Sequence, residues 1–332
     1  MAGWSVVLFK ILSLLPVIGI GWVAARRGWF GRGAVPAMSR LAVDVALPAL
    51  TFTQLVRTVP REALLANALL PAAGAALFLL GAGAGWALAP LFSGRPHRPT
   101  FVFLVALANS IYLPLPIAQA LYGGEGVRTV LLCEVGTRVV LFTVGLAILI
   151  GRRPDARALR DLLVNPGLIA ALSGIAAALL FPGLRALADL DPRGAAPAAM
   201  AGSALFQALD LVGALTIPLA LLVTGAKLEE ASKNGALLSR ETCGVLVARL
   251  LATPAAAAAL LLLAQAAGLP LAEVPRRIIF LVASMPVAVN CGVFTERYGG
   301  DSTLAARSTF ASTLFGVFTI PLLFFAAQRL GL

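Results

Sequence analysis

Apolar residues along this chain come in long runs, each about as long as a bilayer is thick. A helix needs about 20 apolar residues to cross the hydrocarbon core. Ten stretches of that kind cover residues 5–25, 36–56, 64–90, 100–121, 127–150, 162–181, 201–226, 242–267, 277–296 and 304–328. The polar connections between them are short, and the longest is residues 151–161. The pattern predicts an all-α polytopic membrane protein with ten spans, the first of which is not a cleaved signal.

The amino-acid composition is typical of a chain embedded in a lipid bilayer. Of the 332 residues 60% are apolar and only 12% are charged, against about 25% charged in an average soluble domain. The net charge of +11 comes from short basic clusters between the apolar runs, which argues against a nucleic-acid partner. These clusters place fifteen basic residues in one set of loops and eight in the other. Since basic loops stay inside, both termini are expected outside a cell inner (plasma) membrane.

A repeated motif divides the chain into two halves. Span four ends in LYGGEG at residues 121–126, and span nine ends in RYGGDS at residues 297–302, 176 residues later. We therefore expect a first five-helix repeat over 1–150, a short inside loop over 151–161 and a second five-helix repeat over 162–332. Five is an odd number of spans, so the second repeat enters from the opposite side. Such an inverted repeat is typical of secondary transporters.

Spans four and nine each combine prolines with polar side chains. Proline breaks the hydrogen bonding of a helix, and within a membrane such breaks are tolerated where they face protein or a watery cavity. Simple kinks would explain single prolines, but two breaks at matching depths favour a substrate site. The candidate residues are Asn109, Ser110, Tyr112, Pro114 and Pro116 in span four and Ser284, Pro286 and Asn290 in span nine.

Ionisable residues within spans are costly and are functional candidates by default. Glu134 and Arg138 are four residues apart in span five, on one helical face. They form either a structural ion pair or a site in which Arg138 attracts a substrate carboxylate. Asp44 and Asp210 are candidates for proton coupling, although Asp44 could instead pair with Arg40. Arg249, like Lys10, is interpreted as snorkelling to the interface.

The sequence lacks the residue patterns that enzymatic, metal or cofactor chemistry requires. The chain has one histidine, His97, and three cysteines without metal-ligand spacing, Cys133, Cys243 and Cys291. No phosphate-binding glycine loop with a following Lys-Ser or Lys-Thr is present. We therefore expect a protein that is not an enzyme, has no cofactor or metal, and transports along an existing gradient or the membrane potential.

With these motifs in view, the chain resembles the auxin efflux carrier family of the bile-acid, arsenite and riboflavin transporter superfamily. The resemblance covers essentially the whole chain. Its specific parts are ANSIYLPLPIAQALYG in span four and ASMPVAVNCGVFTERYGGD in span nine. RLAVDVALPALTF, LVNPGLIAAL, LTIPLALLVTGAKL and STLFGVFTIPL support it.

The resemblance implies a ten-helix carrier whose broken spans four and nine cross beside the substrate. Spans 1, 2, 6 and 7 would form a scaffold, against which spans 3–5 and 8–10 move like an elevator. Homodimers and organic-anion substrates, such as the auxin indole acetate or small dicarboxylates, are implied as well. A carrier for a neutral or cationic metabolite, and a channel-like or sensory membrane protein, are the alternatives. A channel would be expected to show a continuous polar stripe, which the sequence lacks.

Overall fold

The structure is a computed structural model, and it describes residues 3–31, 33–58, 69–151, 160, 163–188, 190, 196–232, 238–269 and 271–332. Within these ranges the chain is helical and contains no strand, apart from one isolated bridge between Ala108 and Val287. The fold is therefore all-α, as the hydrophobic pattern predicts. Most of the expected inside loop at 151–161 lies outside the described residues, as do residues 64–68 of span three.

The helices of the first half follow one another with few connecting residues. α2 (Ala34–Arg40) continues into α3 (Leu47–Thr58) through a π-helical turn at Leu41–Ala46, and α6 (Pro114–Val140) continues into α7 (Leu146–Ile150) through another at Leu141–Gly145. The helices are α1 (Gly3–Arg26), α2 (Ala34–Arg40), α3 (Leu47–Thr58), α4 (Leu69–Phe92), α5 (Arg98–Ala106), α6 (Pro114–Val140) and α7 (Leu146–Ile150).

The second half begins at a capped helix start. The side chain of Asn165 accepts a hydrogen bond from the Leu168 N–H, with Pro166 at the first helical position, a strong start signal. The helices are α8 (Pro166–Leu180), α9 (Leu184–Ala188), α10 (Pro197–Ala214), α11 (Thr216–Ser232), α12 (Arg240–Val247), α13 (Thr253–Ala266), α14 (Glu273–Ala283), α15 (Cys291–Tyr298) and α16 (Ser302–Arg329). A third π-helical turn, Ala248–Ala252, joins α12 to α13.

Six helical stretches in the described residues are long and apolar enough to cross a membrane. They are Ala34–Arg57, Leu69–Phe92, Pro114–Ile150, Pro197–Lys227, Arg240–Ala266 and Ser302–Arg329. Two shorter apolar helices, Leu15–Arg26 and Pro166–Leu180, fall in spans one and six. Spans four and nine contain no uninterrupted helix of membrane length, because α5 and α14 each end in mid-span. The protein is thus a multi-pass membrane protein, and the count of ten spans stays a prediction.

The Gly-Gly motif reverses the direction of the chain. Gly123 has φ 56° and ψ −141°, a conformation open to glycine and strained for other residues. A Cβ on Gly126 would lie 2.6 Å from the carbonyl oxygen of Ala118, whereas eight residues of straight helix span about 12 Å. α6 therefore folds back on itself at Gly123, close to the predicted boundary between spans four and five.

Close helix packing depends on glycines at two places. A Cβ on Gly225 of α11 would lie 1.9 Å from the carbonyl oxygen of Ile18 in α1. A Cβ on Gly136 of α6 would lie 1.7 Å from the carbonyl oxygen of Pro71 in α4. Small residues that let backbones touch are the common means of helix association in lipid. α1 packs on α11 and α4 on α6 more extensively than any other pairs of helices.

Candidate functional site

Two irregular segments of equal length interrupt spans four and nine. α5 ends at Ala106 and α6 begins at Pro114, so residues 107–113 are not helical. α14 ends at Ala283 and α15 begins at Cys291, which leaves residues 284–290. Leu107 already has an extended backbone, with φ −89° and ψ 97°. We call residues 107–113 and 284–290 the paired segments, because their backbones form hydrogen bonds with each other.

The two segments bond to each other through their backbones. The Asn109 N–H donates to the carbonyl oxygen of Pro286 at 2.8 Å, and the Ala288 N–H donates to the carbonyl oxygen of Leu107 at 3.0 Å. These bonds form the antiparallel bridge between Ala108 and Val287. Irregular backbone at membrane depth must find partners within the protein. Each segment therefore supplies hydrogen-bond partners for backbone N–H and C=O groups of the other.

Hydroxyl groups of α16 hold the second segment from the other side. Ser312 Oγ accepts a hydrogen bond from the Val287 N–H at 3.1 Å. Thr309 Oγ1 donates to the carbonyl oxygen of Ala288 at 3.4 Å. Neither residue was singled out from the sequence, because serine and threonine in a helix most often bond to their own preceding turn.

Six of the ten predicted substrate-site residues line one cavity. It has a volume of about 30 Å³, which is room for one or two water molecules. The paired segments meet the π-helical turn at Leu41–Ala46, α3 and α6 there, so the site draws on distant parts of the chain. The six residues are Asn109, Ser110, Tyr112, Glu134, Arg138 and Asn290, and we call this space the Asn109 cavity.

A polar network on one wall of this cavity joins the first paired segment to α6. Ser110 Oγ donates a hydrogen bond to Glu134 Oε2. Arg138 Nε lies 3.0 Å from Glu134 Oε1, and the two side chains are 12% and 14% exposed. Glu134 is thus shared between the expected ion pair and the paired segment. The Asn109 Oδ1 atom accepts from the Tyr112 N–H at 3.1 Å, which folds the segment into a tight turn.

The other four predicted residues support the segments and do not line this cavity. Pro114 and Pro116 begin α6 and do not lie within the break, since proline is favoured in a first helical turn. Pro286 presents its carbonyl oxygen to Asn109. Ser284 Oγ donates to the carbonyl oxygen of Phe280 at 3.0 Å and so helps to end α14.

Neither of the two carboxylates considered for proton coupling lines the Asn109 cavity. Asp210 Oδ2 is 2.5 Å from Arg57 Nη2, an ion pair between α10 and α3. Asp44 is exposed on the π-helical turn that follows α2. Among the described residues, no three His, Cys, Asp or Glu side chains come together as a metal site requires.

A second, larger cavity borders the second paired segment at Val289. Its volume is about 130 Å³, comparable with the roughly 150 Å³ cavity that accepts benzene in another protein. α11 meets α15 and α16 there, and Lys227 supplies a cation. The polar lining includes Thr224, Lys227, Glu230, Ser302, Thr303 and Thr309, and Gly292 borders the space. We call it the Lys227 cavity. A lysine at the end of an apolar span gives no sequence signal of this role.

The two helices that start at the paired segments differ in their free backbone donors. In α6, Pro114 and Pro116 have no N–H, and the Leu115 N–H donates to the carbonyl oxygen of Ile111 at 3.1 Å. In α15, the Cys291 N–H donates to the carbonyl oxygen of Ala288 at 3.1 Å, and Gly292 follows it in the first turn, whose N–H groups have no carbonyl partner within their own helix. Over the described residues, the Asn290 side chain makes no capping hydrogen bond to α15. The open helix start therefore lies beside the Lys227 cavity.

Arg249 does not snorkel, contrary to the expectation from the sequence. Its side chain is 1% exposed, in the π-helical turn between α12 and α13. The guanidinium donates to the carbonyl oxygens of Met285 at 2.8 Å, Val105 at 3.0 Å and Ala283 at 2.6 Å. It is held inside because these carbonyls, left open where α5 and α14 end, supply the partners that water would otherwise supply.

Known proteins similar to this chain are transporters by name. An uncharacterized transporter of Methanocaldococcus jannaschii is 23% identical over 326 residues, covering 94% of this chain and 96% of that protein. An uncharacterized transporter of Methanothermobacter thermautotrophicus is 24% identical over 323 residues, covering 94% and 95%. Residues 6–324 match the family described as membrane transport protein. The chain belongs to this membrane transport protein family, the same broad class as the auxin-carrier resemblance of its sequence.

Proposed function

We propose that the protein is a secondary transporter that carries a small organic anion, a mono- or dicarboxylate, by elevator-type alternating access. The cargo binds at the paired segments, between Asn109 and Asn290. The observation that best supports this function is the pair of backbone hydrogen bonds that joins the two interrupted spans. Two polar cavities lie beside these bonds. Discontinuous helices that meet near the membrane midplane are the usual substrate sites of such transporters.

The inverted-repeat organisation is supported by matching backbone features. The interruptions at 107–113 and 284–290 have the same length and are 177 residues apart. Gly123 and Gly299, which the sequence motif aligns, both have positive φ, 56° and 81°. Breaks of equal length and positive-φ glycines, at spacings that differ by one residue, are expected of two copies of one five-helix unit. We propose that the second unit runs opposite to the first, with both termini outside.

The division into a scaffold and a moving group is supported by the packing. α1 packs mainly on α11, and α3 mainly on α8, all within the proposed scaffold. α4 packs mainly on α5 and α6, within the proposed moving group. Contacts between the groups, such as α1 with α16, are less extensive. Both cavities lie between the groups, as a site that changes access must, and a homodimer built on the scaffold stays a prediction.

An anionic cargo is supported by the positive groups of the Lys227 cavity. Lys227 and the open first turn of α15 both border it, and a helix N-terminus carries about half a positive charge. Glu230 lines the same cavity, and in the Asn109 cavity Glu134 lies beside Arg138. We propose that the cargo carboxylate is held toward Lys227 and Gly292, while Asn109 and Asn290 hold the rest of the cargo from the Asn109 cavity. The volume of about 130 Å³ suits a small carboxylate.

Replacing Lys227 with glutamine should weaken carboxylate binding roughly 10- to 150-fold, because it removes a charged hydrogen-bond donor worth about 1.5–3 kcal/mol. Binding is measured by calorimetry on purified protein with the best carboxylate from a thermal-shift screen. Arg277→Gln is the control, since that arginine pairs with the exposed Glu273 at 2.7 Å, lines neither cavity and should leave the affinity unchanged. Equal affinity of Lys227→Gln and the native protein would place the carboxylate elsewhere.

Flux in proteoliposomes tests the function itself. The proposal predicts carboxylate uptake that saturates and that accelerates when the same carboxylate is preloaded inside. Single-channel currents without counterflow would instead support a channel. Saturable uptake of the corresponding amides, with none of the carboxylates, would support the carrier for a neutral metabolite.

A further inference from the structure

Four helix ends meet at the paired segments. Because each segment joins the end of one helix to the start of the next, the C-termini of α5 and α14 and the N-termini of α6 and α15 lie there. A helix C-terminus carries about half a negative charge and an N-terminus about half a positive charge. The negative ends together amount to about one elementary charge. Left alone, they would offset the positive ends and repel an anion.

Arg249 bonds to the carbonyl side of this arrangement. Val105 lies in the last turn of α5, Ala283 ends α14, and Met285 follows shortly after it. The guanidinium donates to the carbonyl oxygens of all three, at 2.6 to 3.0 Å. One arginine therefore binds the negative ends of both interrupted spans, and its single charge matches the sum of the two.

Arg249 is separated from the spaces that could hold cargo. It is fully buried, with 1% exposure, and it lines neither the Asn109 cavity nor the Lys227 cavity. Its effect on a ligand must therefore pass through the backbone of the paired segments. The residue also lies about 14 Å of helix from the start of α12, within the stretch Arg240–Ala266 that is long enough to cross a membrane. At such depth the field of an unneutralised helix end is poorly screened.

We propose that Arg249 is a positioning residue that neutralises the carbonyl ends of α5 and α14, so that the positive starts of α6 and α15 determine the charge of the cargo. The inference rests on the proposed function and explains how a chain with few charges in its spans selects an anion. It predicts that Arg249 controls the preference for a carboxylate over a neutral ligand of the same shape.

The test compares matched ligands in matched variants. Affinities for succinate and succinamide, and for indole-3-acetate and indole-3-acetamide, are measured in native protein and in Arg249→Gln. Removing the charge leaves the negative ends of two buried helices without a neutralising cation. Arg249→Gln should therefore bind the carboxylate about tenfold more weakly than the native protein does, and bind the amide as the native protein does. A purely structural role would weaken both ligands alike. Arg277→Gln, on the same helix α14, is the control and should keep the native ratio of the two affinities.

Two further substitutions decide the matter if Arg249→Gln does not fold. Arg249→Lys keeps the charge but cannot reach the separate carbonyls, so it should lower the melting temperature and keep the carboxylate preference. Ser284→Asp adds a negative charge next to Ala283 and should lower that preference, whereas Ser284→Asn should not.

The role of Arg249 would be overturned if Arg249→Gln or Ser284→Asp kept the native ratio of carboxylate to amide affinity. It would also be overturned if Arg249→Lys folded but lost the preference for the carboxylate. These outcomes differ from a failure of the proposed function. In that case the native protein itself would show no preference for either carboxylate over its amide.

Discussion

Replacing Glu134 with alanine is expected to destabilise the protein by about 3 kcal/mol. The substitution leaves Arg138, 12% exposed, without its carboxylate, and breaking a buried ion pair costs about 3–5 kcal/mol. It also removes the acceptor of Ser110, which ties the first paired segment to α6. The free energy of unfolding is measured in mixed detergent micelles. Glu273→Ala, which opens the exposed pair with Arg277, should change it by less than about 1 kcal/mol.

The double variant Glu134→Leu/Arg138→Met separates stability from cargo binding. Well-packed apolar replacements of a buried pair are often neutral or stabilising, so the double variant should recover most of the lost stability. If it binds carboxylates as the native protein does, the pair is structural and Arg138 plays no part in cargo attraction. If it is stable but binds weakly, Arg138 contributes to the site. A double variant as unstable as Glu134→Ala would contradict the interpretation of the pair.

Placing a side chain at Gly225 or Gly136 should be even more damaging. The added Cβ would lie 1.9 Å from the Ile18 carbonyl oxygen or 1.7 Å from the Pro71 carbonyl oxygen, and neither backbone can yield without separating two helices. Overpacking typically costs about 1–3 kcal/mol, and contact with a rigid backbone should exceed that range. We expect Gly225→Ala and Gly136→Ala to express poorly and to melt far below the native protein.

Gly19 supplies the matched control for this prediction. It lies in α1 like Ile18, and a Cβ there would meet nothing within 4 Å. Gly19→Ala should therefore match or slightly exceed native stability, because alanine favours helix over glycine. Native melting temperatures for Gly225→Ala and Gly136→Ala would show that these helices pack less closely than described.

The coarse architecture could be predicted because each apolar run carries its own signal. Runs of membrane length predict helices, and the Gly-Gly motif predicts the reversal at Gly123. The prolines predict the interruption of span four, and the structure has it at residues 107–113, directly before them. Pro114 and Pro116 start α6, because the strain of a proline is relieved when it occupies a first helical turn.

Contacts between residues that are far apart in the sequence leave no local pattern from which they could be predicted. Arg249 stood out as a charge in a span, yet its carbonyl partners lie 33 or more residues away, so snorkelling looked equally reasonable. The Lys227 cavity joins α11 to α15 and α16, and no spacing in the sequence brings those helices together. The bond from the Asn109 N–H to Pro286 is likewise visible only in three dimensions.

The central claim is that the paired segments bind the cargo, and one affinity comparison tests it directly. Calorimetry with the best carboxylate is done on the native protein, Asn109→Ala and Asn290→Ala. Gln207→Ala is the control, because it removes an amide that bonds to Ser203 within α10 at 3.2 Å. Loss of one neutral hydrogen bond should weaken binding by about 0.5–1.5 kcal/mol, or roughly 2- to 13-fold. The account predicts this loss in both asparagine variants and native affinity in the control. Native affinity in all three variants would contradict it.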